Sequence, residues 1–77
     1  MDITFDSATQ EGFEAFADEV AAELPDARIE FQDRPLFGPK YAIVHVKQEF
    51  GSYPLILEEG DTLCIGDEYT SVRTAGA

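Results

Sequence analysis

Apolar residues recur along this chain at two different periods. Phe13, Phe16, Ala17, Val20 and Leu24 stand three or four positions apart, the spacing that gathers side chains into one stripe of an α-helix. The pattern predicts a helix over about residues 8–24. Ser7-Ala8-Thr9-Gln10 reads as a capping box, with the Ser7 hydroxyl accepting from the Gln10 amide and the Gln10 side chain reaching back; Thr9 is a rival cap. Pro25 closes the segment, because the residue before proline avoids helical geometry. Gly12 weakens the helix by roughly 0.5–1 kcal/mol relative to alanine.

The remaining apolar positions alternate with polar ones. Ile3 and Phe5 give a short first strand, and Ile29 and Phe31 a second. The prolines of Arg34-Pro35-Leu36-Phe37-Gly38-Pro39 make that stretch a loop, and its Pro35-Leu36-Phe37-Gly38 portion reads as a cap on the core. Tyr41–Lys47 is a third strand, and its sequence leaves the buried face open between Ala42/Val44/Val46 and Tyr41/Ile43/His45. Tyr53–Glu58 follows a turn around Gly51, with Pro54 suggesting an edge or a strand start. Glu58-Glu59-Gly60-Asp61 reads as a hairpin turn with glycine in the left-handed position. Thr62–Ile65 and Glu68–Arg73 then pair across Gly66-Asp67, and 74–77 form a frayed tail.

The order β-α-β-β-β-β implies an α+β fold, one amphipathic helix packed on an antiparallel sheet of about four to six strands. The expected core is Phe13, Phe16, Val20, Leu24, Ile29, Phe31, Ile43 or Val44, Leu55, Leu57, Leu63, Ile65 and Val72. With 77 residues there is room for one domain, residues 1–77. The single cysteine, Cys64, rules out an intrachain disulfide and a multi-cysteine zinc site within this chain. The first residues lack the basic and apolar regions of a secretory signal, and no apolar run approaches the roughly 20 residues that span a bilayer. The expected location is cytoplasmic.

Charge changes the picture most. Sixteen acidic residues face five basic ones, a net charge of −11. Residues 1–27 carry eight acids and no lysine or arginine, so that third of the chain holds −8 and the rest −3. Such a balance disfavours direct contact with nucleic acid or an anionic membrane and favours a basic partner.

Candidate catalytic chemistry is sparse. His45 and Cys64 could form a nucleophile–base pair, but a reactive thiolate needs an electropositive setting, and Cys64 between Leu63 and Ile65 reads as a small buried hydrophobe. Glu58, Glu59 and Asp61 cluster without the spacing of a calcium loop, and a polar turn is the better reading. No phosphate-cradling glycine loop is present. The expectation is a non-enzymatic chain with no catalytic residue, cofactor or metal.

The candidate site is the polar side of the helix: Glu11, Glu14, Asp18, Glu19 and Glu23. A solvated structural helix usually mixes signs, because ion pairs four residues apart help by a few tenths of a kcal/mol. Here Glu11–Glu14, Glu14–Asp18 and Glu19–Glu23 are like-charge neighbours, together costing on the order of 1 kcal/mol. From Glu11 to Glu23 the axis rises about 18 Å. That spaces the five carboxylates about 4.5 Å apart, close to the about 3.4 Å between phosphates along one DNA strand.

In length, charge, lysine- and arginine-free acidic helix and compact α+β build, the chain resembles the small acidic anti-CRISPR proteins of phages and mobile elements that inhibit type I systems. The resemblance covers the whole chain in character and contains no sequence motif, so no residue roles carry over from it. It implies a DNA mimic that blocks, without catalysis, the basic DNA-recruiting surface of the surveillance complex Cascade. Two other readings use the same composition: a halophile's acidic housekeeping domain, and an antitoxin- or immunity-type module that meets a basic enzyme. The first expects acids over the whole surface, against which the −8/−3 split argues. Phe37 or Tyr53 would anchor an aromatic interface in place of a charge-dominated one.

Overall fold

The computed structural model describes residues 1–6, 9–33 and 36–76. Its elements are β1 (Asp2–Thr4), α1 (Gln10–Glu23), β2 (Arg28–Gln32), β3 (Tyr41–Gln48), β4 (Gly51–Glu58), β5 (Thr62–Ile65) and β6 (Thr70–Arg73). This is the expected α+β build, one helix with six strands, within the four to six expected, in the order β-α-β-β-β-β-β. The helix starts at Gln10 because Thr9 is its cap: the extended Thr9 backbone lets its hydroxyl accept from the Gly12 N–H at 3.1 Å. Ser7, the other candidate, lies outside the described residues. The Gln10 side chain turns forward, donating to Glu14 Oε1 at 3.2 Å, so it does not complete a capping box.

The strands divide into two antiparallel three-stranded sheets where a single sheet was expected. One has the order β2-β3-β4, a meander; the other has the order β1-β5-β6. The segment Glu58–Asp61 is therefore a passage between sheets, not a hairpin turn, since β4 and β5 do not pair. Gly60 still takes the expected left-handed conformation there, with φ +91°. Helix α1 rests against β1 of one sheet and β2 of the other. On the opposite side the sheets meet at β4 and β6, where a tyrosine stands in for ladder bonds. The Tyr53 hydroxyl donates to the Thr70 carbonyl at 3.2 Å and accepts from the Thr70 N–H at 3.3 Å. Pro54 sits within β4, an edge strand of its sheet, which tolerates the missing donor.

Alternation places the core. On β3 the buried set is Ala42, Val44 and Val46, so Val44 and not Ile43 faces inward. Through the register, Ile29 and Phe31 of β2 and Tyr53, Leu55 and Leu57 of β4 share that inner face. Ile3 and Phe5, absent from the expected core, are among the most deeply buried side chains, with Phe5 at 0% exposure. The short β1 achieves this because its pairing runs past both ends: Ile65 N–H donates to the Met1 carbonyl at 2.7 Å, and Phe5 N–H to the Asp61 carbonyl at 2.8 Å. Phe13, Leu24, Ile29, Phe31, Leu55, Ile65 and Val72, expected as core, are only partly buried and pack around its margin. In a chain this small little lies far from the surface, so half-burial is the rule for such positions. The β2–β3 loop corrects another expectation. Leu36 and Phe37 are 88% and 85% exposed and do not cap the core.

Asp61 ties the crossing point together. It is 8% exposed, and its two carboxylate oxygens accept from the Glu58 and Ala75 N–H groups, each at 2.9 Å. Asp61→Ala should therefore lower unfolding free energy by about 3 kcal/mol in a urea titration, because bonds to a charged acceptor are lost and two backbone donors are left partly buried. Glu59→Ala, at an exposed position, should change it by less than about 0.5 kcal/mol.

Candidate partner-binding surface

Glu11, Glu14, Asp18, Glu19 and Glu23 are all exposed. The helix turns the first four outward because Phe16 and Val20, at 4% and 0% exposure, fix its inner side. At about 100° per residue, Glu11, Glu14 and Asp18 fall on one narrow ridge opposite that inner side. Glu19 falls on a flank, and Glu23, about 20° from the direction of Phe16, is exposed because it ends the helix. The five carboxylates thus form a ridge, a shoulder and an end, not a single row.

The shoulder gains partners that the helix pattern does not reveal. Glu19 lines a groove between α1 and β1 together with Asp2, Thr4 and Asp6. Its floor includes the buried Ile3 and Phe16. The fold therefore adds two carboxylates, Asp2 in β1 and Asp6 just past it, to the acidic side of the helix. The signal for them in the sequence is only the lysine- and arginine-free run that contains both; strand β1 has to lie along α1 before they join the site.

Neutralisation is slight. Among the described residues, the ion pairs are Arg28 with Glu30 at 2.8 Å and Arg73 with Asp2 at 3.6 Å, and His45 Nε2 lies 3.6 Å from Glu30 Oε2. None reaches the five helix carboxylates. The last turn of α1 carries no basic residue, although cations there are favoured by the partial negative charge of a helix C-terminus.

The other candidate chemistry is dispersed. His45 pairs across strands with Arg28 and Pro54, whereas Cys64 pairs with Asp2 and Ser71 in the other sheet. No strand pairing brings the two together. Cys64 is only partly buried, not sealed in the core as expected, and its Sγ lies 3.9 Å from the Thr62 carbonyl. In the Glu58–Asp61 turn, Glu58 and Glu59 face solvent while Asp61 serves the backbone. Among the described residues no three His, Cys, Asp or Glu side chains converge as a metal site would require.

No protein-family model, curated protein or solved structure matches this chain. No helix among the described residues is long and apolar enough to cross a membrane.

The unneutralised ends of α1 give a direct check on its electrostatics. Glu23→Lys should raise stability by about 0.5–1 kcal/mol at low ionic strength, since it removes the repulsion with Glu19 and places a cation at the helix C-terminus. Glu11→Lys, the same charge change in the first turn, should give a smaller gain or a loss. Thermal melts of both variants in low and high salt would show the difference shrinking as salt rises.

Proposed function

We propose that this protein is an acidic binding inhibitor that acts in the cytoplasm by occupying a basic nucleic-acid-binding surface. Within that class we assign it to blocking DNA recruitment by a type I CRISPR surveillance complex, as an anti-CRISPR DNA mimic without enzymatic activity or cofactor. One observation carries the reading. Five exposed carboxylates line α1 with no basic side chain paired to any of them among the described residues. Folding does not ask for this arrangement, which costs helix stability through like-charge neighbours. A groove lined by lysine and arginine would recover that cost by supplying the missing cations, and counterion release would make the contact salt-dependent. Asp2 and Asp6 widen the same surface beside Glu19.

The combined variant Glu11→Lys, Glu14→Lys and Asp18→Lys should keep the fold by circular dichroism. It should also lose at least about 100-fold in affinity for the complex, measured by DNA competition at two salt concentrations, since truncating close interfacial charge pairs can each cost about 1.5 kcal/mol or more. Unchanged competition by this variant would remove the helix from the mechanism.

A halophile's acidic domain is the second reading, favoured by one specific observation: exposed acids also occupy the turns, at Asp33, Glu49, Glu59, Asp67 and Glu68. That reading expects the folded state to need high salt. Unfolding midpoints measured from low to molar salt decide between the two. A small change supports the binding inhibitor, and loss of folded protein in dilute buffer supports the halophile domain.

A further inference from the structure

The outer face of the β2-β3-β4 sheet differs in kind from the rest of the surface. By register it consists of four rows. Lys47 and Ser52 form the first, Arg28, His45 and Pro54 the second, Glu30, Ile43 and Ile56 the third, and Gln32, Tyr41 and Glu58 the fourth. Two bases and two acids make it neutral, in a chain of net charge −11. Ile43 on the central strand and Pro54 and Ile56 on the edge strand β4 form an apolar patch on it, and Ile56, midway along β4, is 56% exposed.

The order of the rows is basic, basic, acidic, acidic along the strands. Such a pattern complements itself when reversed. A two-fold axis lying across the strands, between the second and third rows, sets each strand over its own copy running the other way. Arg28, already paired with Glu30 of its own chain at 2.8 Å, then also faces Glu30 of a second copy, so that the two pairs join in a four-charge cluster; Ile56 faces Pro54, Ile43 faces His45, and Lys47 faces the Tyr41 ring beside Glu58. Each contact occurs twice, as an isologous interface demands. A basic partner would find no attraction here, and a strongly acidic one would be repelled by the rest of the molecule.

We propose that this face is a self-association surface through which two copies of the chain pack sheet to sheet. Two strands of eight residues and one of five, about 4.8 Å apart, give a face about 14 Å wide that is about 26 Å long on β3 and β4 and about 16 Å long on β2. With side-chain relief the dimer buries on the order of 1,000 Å² in total, the low end of specific interfaces. The dimer is accordingly weak and concentration-dependent, and salt strengthens it by screening the repulsion between two acidic chains. This surface shares no residue with the acidic helix, so the inference stands or falls apart from the proposed function.

The test is sedimentation equilibrium of the full chain from about 10 to about 500 µM in moderate salt, a span that covers the dissociation constants of weak dimers. A monomer–dimer equilibrium is expected, weakened at least about tenfold by Ile56→Lys, which alters an exposed position and leaves the core intact. Arg28→Glu and Glu30→Arg should each weaken self-association, because each puts like charges across the axis. Mixing the two variants should restore a dimer, since every facing pair is then opposite in sign. A chain that stays monomeric throughout the range overturns the proposal. So does a dimer indifferent to Ile56→Lys, or a mixture of the two charge variants that fails to pair.

Discussion

Phe5, in the segment leaving β1, meets Phe16 of α1 with ring centroids 5.2 Å apart and Phe31 of β2 at 6.2 Å, edge to face. Phe13, one turn earlier on α1, stacks on the other side of the group against Phe31 at 4.9 Å. Each ring comes from a different element or a different turn of the helix. Aromatic pairs of this geometry add about 0.5–1.5 kcal/mol beyond the area they bury. Their greater effect is topological. The two sheets share no ladder, so their relative placement on this side depends on α1 being held to both, and the phenyl cluster is what holds it.

The far seam is closed differently, by the Tyr53 hydroxyl serving both backbone groups of Thr70. Between cluster and seam lie the smaller residues Ala42, Val44, Val46, Leu57 and Leu63. With Asp61 fixing the crossing between sheets, the core is closed at three places by three kinds of contact: ring packing, a neutral hydrogen-bonded bridge and a carboxylate on backbone donors. A chain of 77 residues has too little interior to rely on area alone.

This economy of core leaves the surface to charge. The inward pull of Phe16 and Val20 dictates which side of α1 meets water, and apart from Gln10 that side is acidic or alanine. Asp2 and Asp6 are carried to the same region because β1 must lie beside α1 for Phe5 to reach Phe16. The acidic surface is thus a consequence of the cluster beneath it. The neutral outer face of β2-β3-β4 is equally a consequence of register, which segregates Ala42, Val44 and Val46 inward and leaves Tyr41, Ile43, His45 and Lys47 on the other side. One small fold presents two surfaces of opposite character.

The sequence by itself determined the elements and the acidic helix. A period of 3.6 against a period of 2 is a local property, legible in Phe13, Phe16 and Val20 or in Tyr41–Lys47 without any partner, and the charges of Glu11, Glu14, Asp18, Glu19 and Glu23 follow their helix outward. Thr9 was visible as a cap, and its hydroxyl does accept from the Gly12 N–H. The division into two sheets, the full burial of Ile3 and Phe5, the exposure of Leu36 and Phe37 and the recruitment of Asp2 and Asp6 were decided only by tertiary structure. The reason is common to all of them. Alternation says that a strand has two faces, and it says nothing about which strand supplies its neighbour or what covers each face. Those depend on contacts between residues far apart in the chain, such as Phe5 with Phe31 and Tyr53 with Thr70, whose pairing no local pattern encodes.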